Sequence, residues 1–125
     1  MKVIDASVIV ELVANDLDPD HLGEQELAAP HLVDSEVTNV LRRLVINKIL
    51  TNEQGTIALD GFTRLALTRF PAAWLRPRMW ELRHNLSAYD ATYVALAETI
   101  GATALLTTDA KLANAPGINC PIELL

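Results

Sequence analysis

Two short apolar runs at opposite ends of the chain each stop at an aspartate: Val3-Ile4 at Asp5, and Ala104-Leu105-Leu106-Thr107-Thr108 at Asp109. Short apolar runs bounded by polar residues suit buried strands. Between them, apolar residues recur at helical spacing. Val33, Val37, Val40, Leu41 and Leu44 do so between Leu32 and Leu50, and Leu75, Met79, Leu82 and Leu86 form a second stripe. Ser87 to Ile100 reads as a helix closed by Gly101, a natural residue for a left-handed cap. Strands separated by helices predict an α/β domain in three layers, with a mainly parallel central sheet and helices on both faces.

The remaining segments fit that frame. Ala6 to Ala14 reads as a helix, broken by Asp16–Asp20 with Pro19, and a short amphipathic helix is expected to follow to about Leu27. Asn52 and Glu53 open another helix, whose apolar residues Ile57, Leu59, Phe62, Leu65 and Leu67 precede the stop at Pro71. A short helix from Ala110 and a last strand within Pro121–Leu124 complete the chain. With 125 residues, half of them hydrophobic, and no repeat or linker, residues 1–125 are expected to form a single domain.

Composition narrows the function. The opening segment Val3–Val13 is interrupted by Asp5 and Glu11 and is far short of the roughly 20 apolar residues of a membrane span. The lone Cys120 forms no intramolecular disulfide, which fits a reducing cytoplasm. The net charge is −6, and residues 1–41 hold nine acids against the single base Lys2. Nucleic-acid affinity comes mostly from Lys and Arg, so any such activity here must be local, through a cation-bridged site with an arginine nearby.

Four acids stand out: Asp5, Glu36, Asp90 and Asp109. Each has a structural alternative. Asp5 and Asp109 each precede a helix and would serve as N-caps. Asp90 follows Ser87 at capping-box spacing, and Glu36 lies early in its helix, where the macrodipole favours negative charge. Helical phase nevertheless places Asp90 in the inward row with Val94 and Ala97, and Glu36 borders the Val33–Leu44 stripe. Asp5 and Asp109 end strands that a parallel sheet would bring to one rim, where ligands gather in such folds. The four acids are therefore expected to share a cleft. Two carboxylates about 4 Å apart repel by roughly 1 kcal/mol in water and about 4 kcal/mol near a protein surface. Such a cluster shares protons or holds a hard divalent cation, and oxygen ligands favour Mg²⁺ or Mn²⁺. No Cys or His spacing suits zinc, and His21, His31 and His84 read as surface or packing residues.

The segments Val3-Ile4-Asp5-Ala6-Ser7, Ser35-Glu36-Val37-Thr38-Asn39-Val40-Leu41-Arg42-Arg43, Asn85 to Ala97 around Tyr89-Asp90-Ala91, and Leu105-Leu106-Thr107-Thr108-Asp109 together resemble the PIN-domain family, and within it the VapC toxins of bacterial toxin–antitoxin pairs. The resemblance spans nearly the whole chain, and none of its acids is missing. It implies a PIN-like fold and a Mg²⁺- or Mn²⁺-dependent endoribonuclease acting on structured RNA such as a tRNA or an rRNA loop. It further implies a cognate VapB-type antitoxin as partner, and a homodimer. Asp5, Asp90 and Asp109 would hold metal, and Glu36 would orient the attacking water or a second ion. Ser7 and Thr107 match the hydroxyl residues that support the cluster, with cap and strand-end roles as the alternative. Attack by water predicts 5′-phosphate and 3′-hydroxyl ends.

Arg43 lies two helical turns beyond Glu36 on the same face, suited to a neighbouring phosphate or to a structural ion pair. Arg76, Arg78 and Arg83 alternate with Trp74 and Trp80, a composition able to stack unpaired bases, although tryptophans in such a stripe are more often core. An antitoxin groove around Val8, Leu12 and Leu17 rests on the resemblance alone. Two other readings stay open: a metal-binding signalling module, for which Lys111 is a weak candidate lysine, and a PIN-like domain that binds RNA without cutting it.

Overall fold

A computed structural model describes residues 1–125. The chain enters the centre of the sheet with β1 (Lys2–Ile4) and turns at once into α1 (Ala6–Ala14). A 3₁₀ turn at Pro19–Leu22 leads to β2 (Leu27–Pro30), followed by α2 (Leu32–Ile46), α3 (Asn52–Arg64) and β3 (Thr68–Phe70). A second 3₁₀ turn, Ala73–Leu75, opens α4 (Arg76–Glu81). The long α5 (Ala88–Thr99), β4 (Leu105–Thr107), α6 (Ala110–Ala113) and β5 (Ile122–Leu124) complete the domain.

All strand pairs are parallel, in the order β3-β2-β1-β4-β5. The chain therefore builds outward from β1 on one side, then crosses back to build on the other. Right-handed crossovers place α1, α2 and α3 on one face and α4, α5 and α6 on the opposite face. Accordingly α1 packs against α2 and α3, while α4 packs against α5. The direction of winding reverses between β1 and β4, and the carboxyl ends of these two strands form the crevice where such sheets bind ligands. Register puts Val3 beside Leu105 and Ile4 beside Leu106, so the residues that follow, Asp5 and Thr107, emerge level with each other.

The core explains the helix that reads least clearly as amphipathic. Ala91 to Ala97 of α5 are buried on every side, because α5 is sandwiched between the sheet and α4. Its last turn ends as predicted, with Gly101 at φ +62°. No helix is long and apolar enough to cross a membrane.

Three expectations are corrected. The helix expected to reach Leu27 is only the 3₁₀ turn Pro19–Leu22, closed by Gly23 at φ +76°, and Leu27–Pro30 is a strand. The apolar pattern ending at Leu67 is not one helix to Pro71, since α3 stops at Arg64 and Thr68–Phe70 pairs with β2 as an edge strand. Trp74 and Trp80 are 55% and 68% exposed rather than core, because the short α4 buries only its Leu75, Met79 and Leu82 side.

Candidate active site

At the end of β1, Asp5 caps α1: Val8 N–H donates to its Oδ1 at 3.2 Å, and the Ser7 hydroxyl donates to the same oxygen at 2.5 Å. Its Oδ2 accepts from the hydroxyl of Thr107 on β4, also at 2.5 Å. Both hydroxyls are themselves acceptors from the β4–α6 turn. Ser7 Oγ takes Thr108 N–H at 3.1 Å, and Thr107 Oγ1 takes Asp109 N–H at 3.0 Å. Ser7 and Thr107 thus lace the two strand ends together around a carboxylate, beyond any role as cap or strand-end residues. Asp109 caps α6 by accepting from Lys111 N–H at 2.9 Å. Capping and clustering are therefore not alternatives for these two aspartates.

Thr107 is fully buried, and its hydroxyl is the only side-chain donor to Asp5 Oδ2. Thr107→Val keeps the shape but strands a buried carboxylate oxygen and the Asp109 N–H. A loss of about 1.5–3 kcal/mol in denaturant unfolding is expected, the range for hydrogen bonds to charged groups.

The other two acids come from helices on opposite faces. In α2, Glu36 directs Oε1 at the hydroxyl of Tyr93 of α5, which donates at 2.6 Å. In α5, Asp90 receives only half of a capping box: its N–H donates to Ser87 Oγ at 3.1 Å, and no bond returns from its carboxylate to the Ser87 backbone. Asp5, Glu36, Asp90 and Asp109 all line one open cleft of about 360 Å³, as do Ser7 and Arg43. Thr107 lies behind its wall.

Glu11, Asn39 and Tyr93 line the cleft as well and went unread in the sequence. Glu11 and Asn39 face it by phase, one turn of α1 beyond Ser7 and one turn of α2 beyond Glu36. Tyr93 is 2% exposed and would pass for an ordinary core aromatic, although its position three residues past Asp90 was a usable signal.

Five acids against the single cation Arg43 make the cleft strongly negative. Burial pushes the Asp5 carboxyl above its usual range, although the Ser7 and Thr107 hydroxyls and backbone N–H groups oppose the shift. Glu36 is raised by burial and by the charges of Asp90 and Asp5, against the hydrogen bond from Tyr93. Asp90 is raised by burial and by Asp109 and Asp5, with Ser87 opposing. Tyr93 is itself driven up by burial and by Glu36, so it stays a protonated donor. No three of the carboxylates stand close enough to make a finished cation cage. The donor set nevertheless fits a hard divalent ion: it is all oxygen, its charges repel, and Glu36 Oε2 and Asp109 Oδ2 accept no protein hydrogen bond.

Of the basic residues read from the sequence, only Arg43 reaches the cleft. Arg78 is structural: it pairs with Glu98 at 2.7 Å and Glu81 at 3.2 Å, and donates to the Gly117 carbonyl at 2.6 Å. The imidazoles of His21, His31 and His84 lie outside the cleft lining.

Known proteins resemble this chain in sequence and fold. The PIN domain family model matches residues 2–118. Ribonuclease VapC9 of Mycobacterium tuberculosis is 44% identical over all of this chain and 98% of its own, and Ribonuclease VapC1 of the same organism is 40% identical over 98% of this chain and 96% of its own. Among solved structures, VapBC2 of Rickettsia felis bound to a promoter DNA fragment superposes with a TM-score of 0.71 at 19% identity, covering 99% of this chain and 98% of that one. VapC20 of Mycobacterium tuberculosis, described as a sarcin-ricin loop cleaving toxin, gives a TM-score of 0.65 at 18% identity over 95% and 97% of the two chains. These likenesses set aside a receiver-like signalling module, and together they show that the chain belongs to the PIN-domain family, in its VapC branch.

Proposed function

We propose that this chain is a metal-dependent endoribonuclease, the toxin of a toxin–antitoxin pair, acting on structured RNA such as a tRNA or an rRNA loop. The observation that carries the reading is the gathering of Asp5, Glu36, Asp90 and Asp109 in one cleft at the switch point of the sheet. Its relatives named as ribonucleases support the reaction class.

Asp5, Asp90 and Asp109 would hold Mg²⁺ or Mn²⁺, with Ser7 and Thr107 fixing the Asp5 carboxylate. When bound, the ion lowers the pKa of water and relieves charge on the phosphate oxygens. Glu36, anchored at Oε1 by Tyr93, presents Oε2 to the cleft, where it orients the attacking water and takes its proton. Burial and the neighbouring carboxylates raise its pKa, which favours proton acceptance relative to a free glutamate. Arg43 meets a flanking phosphate. Water rather than the 2′-hydroxyl attacks phosphorus and the 3′-oxygen leaves, so the product carries a 5′-phosphate and the leaving strand a 3′-hydroxyl. The protein works as a cytoplasmic homodimer restrained by a VapB-type antitoxin.

The test is incubation of protein freed of antitoxin with total cellular RNA in Mg²⁺, in Mn²⁺ and in EDTA. Cleavage in either metal and silence in EDTA are expected. RNA bound but uncut in both metals would leave a non-cleaving binder instead. Independently of RNA, Mn²⁺ at about 100 times its dissociation constant should stabilise the fold by roughly 2.7 kcal/mol, read as a thermal shift. An equal shift in Asp90→Asn protein would remove Asp90 from the ligand set.

A further inference from the structure

The proposed chemistry leaves the Arg–Trp segment of α4 unused. Trp80 is 68% exposed, and the Arg83 guanidinium lies over its ring at 4.6 Å, held there by donation to the Trp80 carbonyl at 2.9 Å. Beside them is a cavity of about 500 Å³, lined by Arg76, Met79, Trp80, Arg83, Leu86 and the first residues of α5. Its size falls in the range of small-ligand sites, roughly 300–1,000 Å³.

The charge pattern identifies the occupant. Arg78 is committed to Glu98 and Glu81, but Arg76 and Arg83 make no ion pair and donate only to backbone carbonyls. Two unneutralised cations beside an exposed indole, in a chain of net charge −6, complement a ligand that is both anionic and flat. An apolar protein helix would desolvate both guanidiniums without neutralising them. A nucleotide places its base on the indole and its phosphate against the arginines. The cavity and the cleft share the first turn of α5, because Ser87 and Ala88 line the cavity while Asp90, in the same turn, lines the acidic cleft.

We infer that the Trp80–Arg83 cavity is a subsite for an unpaired nucleotide of the RNA, held next to the acidic cleft by base stacking on Trp80 and phosphate contact with Arg76 and Arg83. As a substrate subsite it rests on the ribonuclease reading. It selects RNA whose flanking nucleotide is free to unstack, and it leaves paired RNA unbound at this point.

The chain has two tryptophans, so Trp74→Phe leaves Trp80 as the sole reporter. Titration of this protein carrying Glu36→Gln to prevent cleavage, in Mg²⁺, with a short unpaired RNA oligonucleotide should quench its fluorescence saturably, and a duplex of the same sequence should not. By anisotropy of labelled RNA, Trp80→Ala should raise the dissociation constant by roughly 5- to 150-fold, the range for one lost base–aromatic stack. Trp80→Phe should restore most of the affinity. Absence of quenching, or unchanged affinity in Trp80→Ala, overturns the subsite. So does a fall in oligomeric mass in Trp80→Ala with affinity per chain unchanged, which assigns the face to a second copy of the chain. Cleavage with no quenching removes the subsite alone, whereas quenching with no cleavage in either metal removes the ribonuclease reading and retains nucleotide binding.

Discussion

Replacing Asp90 with asparagine should lower RNA cleavage by at least about 10²–10³-fold while making the metal-free protein more stable. The first effect follows from removing one of the three carboxylates proposed to hold the metal, in the range seen when one preorganised electrostatic contact is removed. The second follows from the pKa direction. Burial and the charges of Asp109 and Asp5 raise the Asp90 carboxyl, so the fold favours its protonated form. The resulting stability is complete below the unfolded pKa and is lost as pH rises through the folded one. At neutral pH the wild-type fold therefore carries an unfavourable charge that asparagine lacks. Each kcal/mol of relief raises Tm by about 4 °C in a chain of this size. Lowering the pH of metal-free wild type from 7 toward the carboxylate range should stabilise it in the same sense, through Asp5, Glu36 and Asp90 together. Asp34 behaves oppositely, since its hydrogen-bonded pairing with Arg69 depresses its pKa and its contribution is lost only at lower pH. A melting temperature in Asp90→Asn that falls below wild type in EDTA would contradict this account.

Leu106→Ala should cost about 2–5 kcal/mol, the range for emptying a buried leucine site, against a total stability of about 5–15 kcal/mol. Leu106 is fully buried in β4, and its carbonyl accepts from Asp5 N–H at 3.1 Å. Any relaxation around the cavity therefore reaches the peptide that aims the Asp5 carboxylate, and cleavage should fall further than the folded fraction does. A urea midpoint shift with an unchanged slope measures the first effect. Activity corrected for folded protein measures the second.

The acids were legible because their positions obey backbone periodicities that survive in a bare sequence: strand ends for Asp5 and Asp109, helical phase for Asp90 and Glu36. The strands β2 and β3 were not. Leu27-Ala-Ala-Pro30 is too small and too short to look β-forming, and Thr68-Arg-Phe70 is an edge with little to bury. β2 takes its conformation from pairing with β1, and β3 from pairing with β2, a long-range cause that local pattern does not carry. The Tyr93–Glu36 bond was hidden for the same reason, because it joins helices 57 residues apart. Trp74 and Trp80 misled because hydrophobicity reports what a side chain tolerates, and α4 is too narrow to bury both of its sides.

The strand order has a consequence for when the molecule becomes dangerous. The first strand synthesised is the central one, yet one of its two neighbours, β4, is among the last. A nascent or prematurely ended chain that stops before Leu105 has an open edge along β1 and lacks both Thr107 and Asp109. Such fragments can neither complete the sheet nor assemble the acidic cleft. Synthesis thus withholds the assembled cleft until β4 and Asp109 have emerged, and removal of residues 105–125 disarms the folded protein.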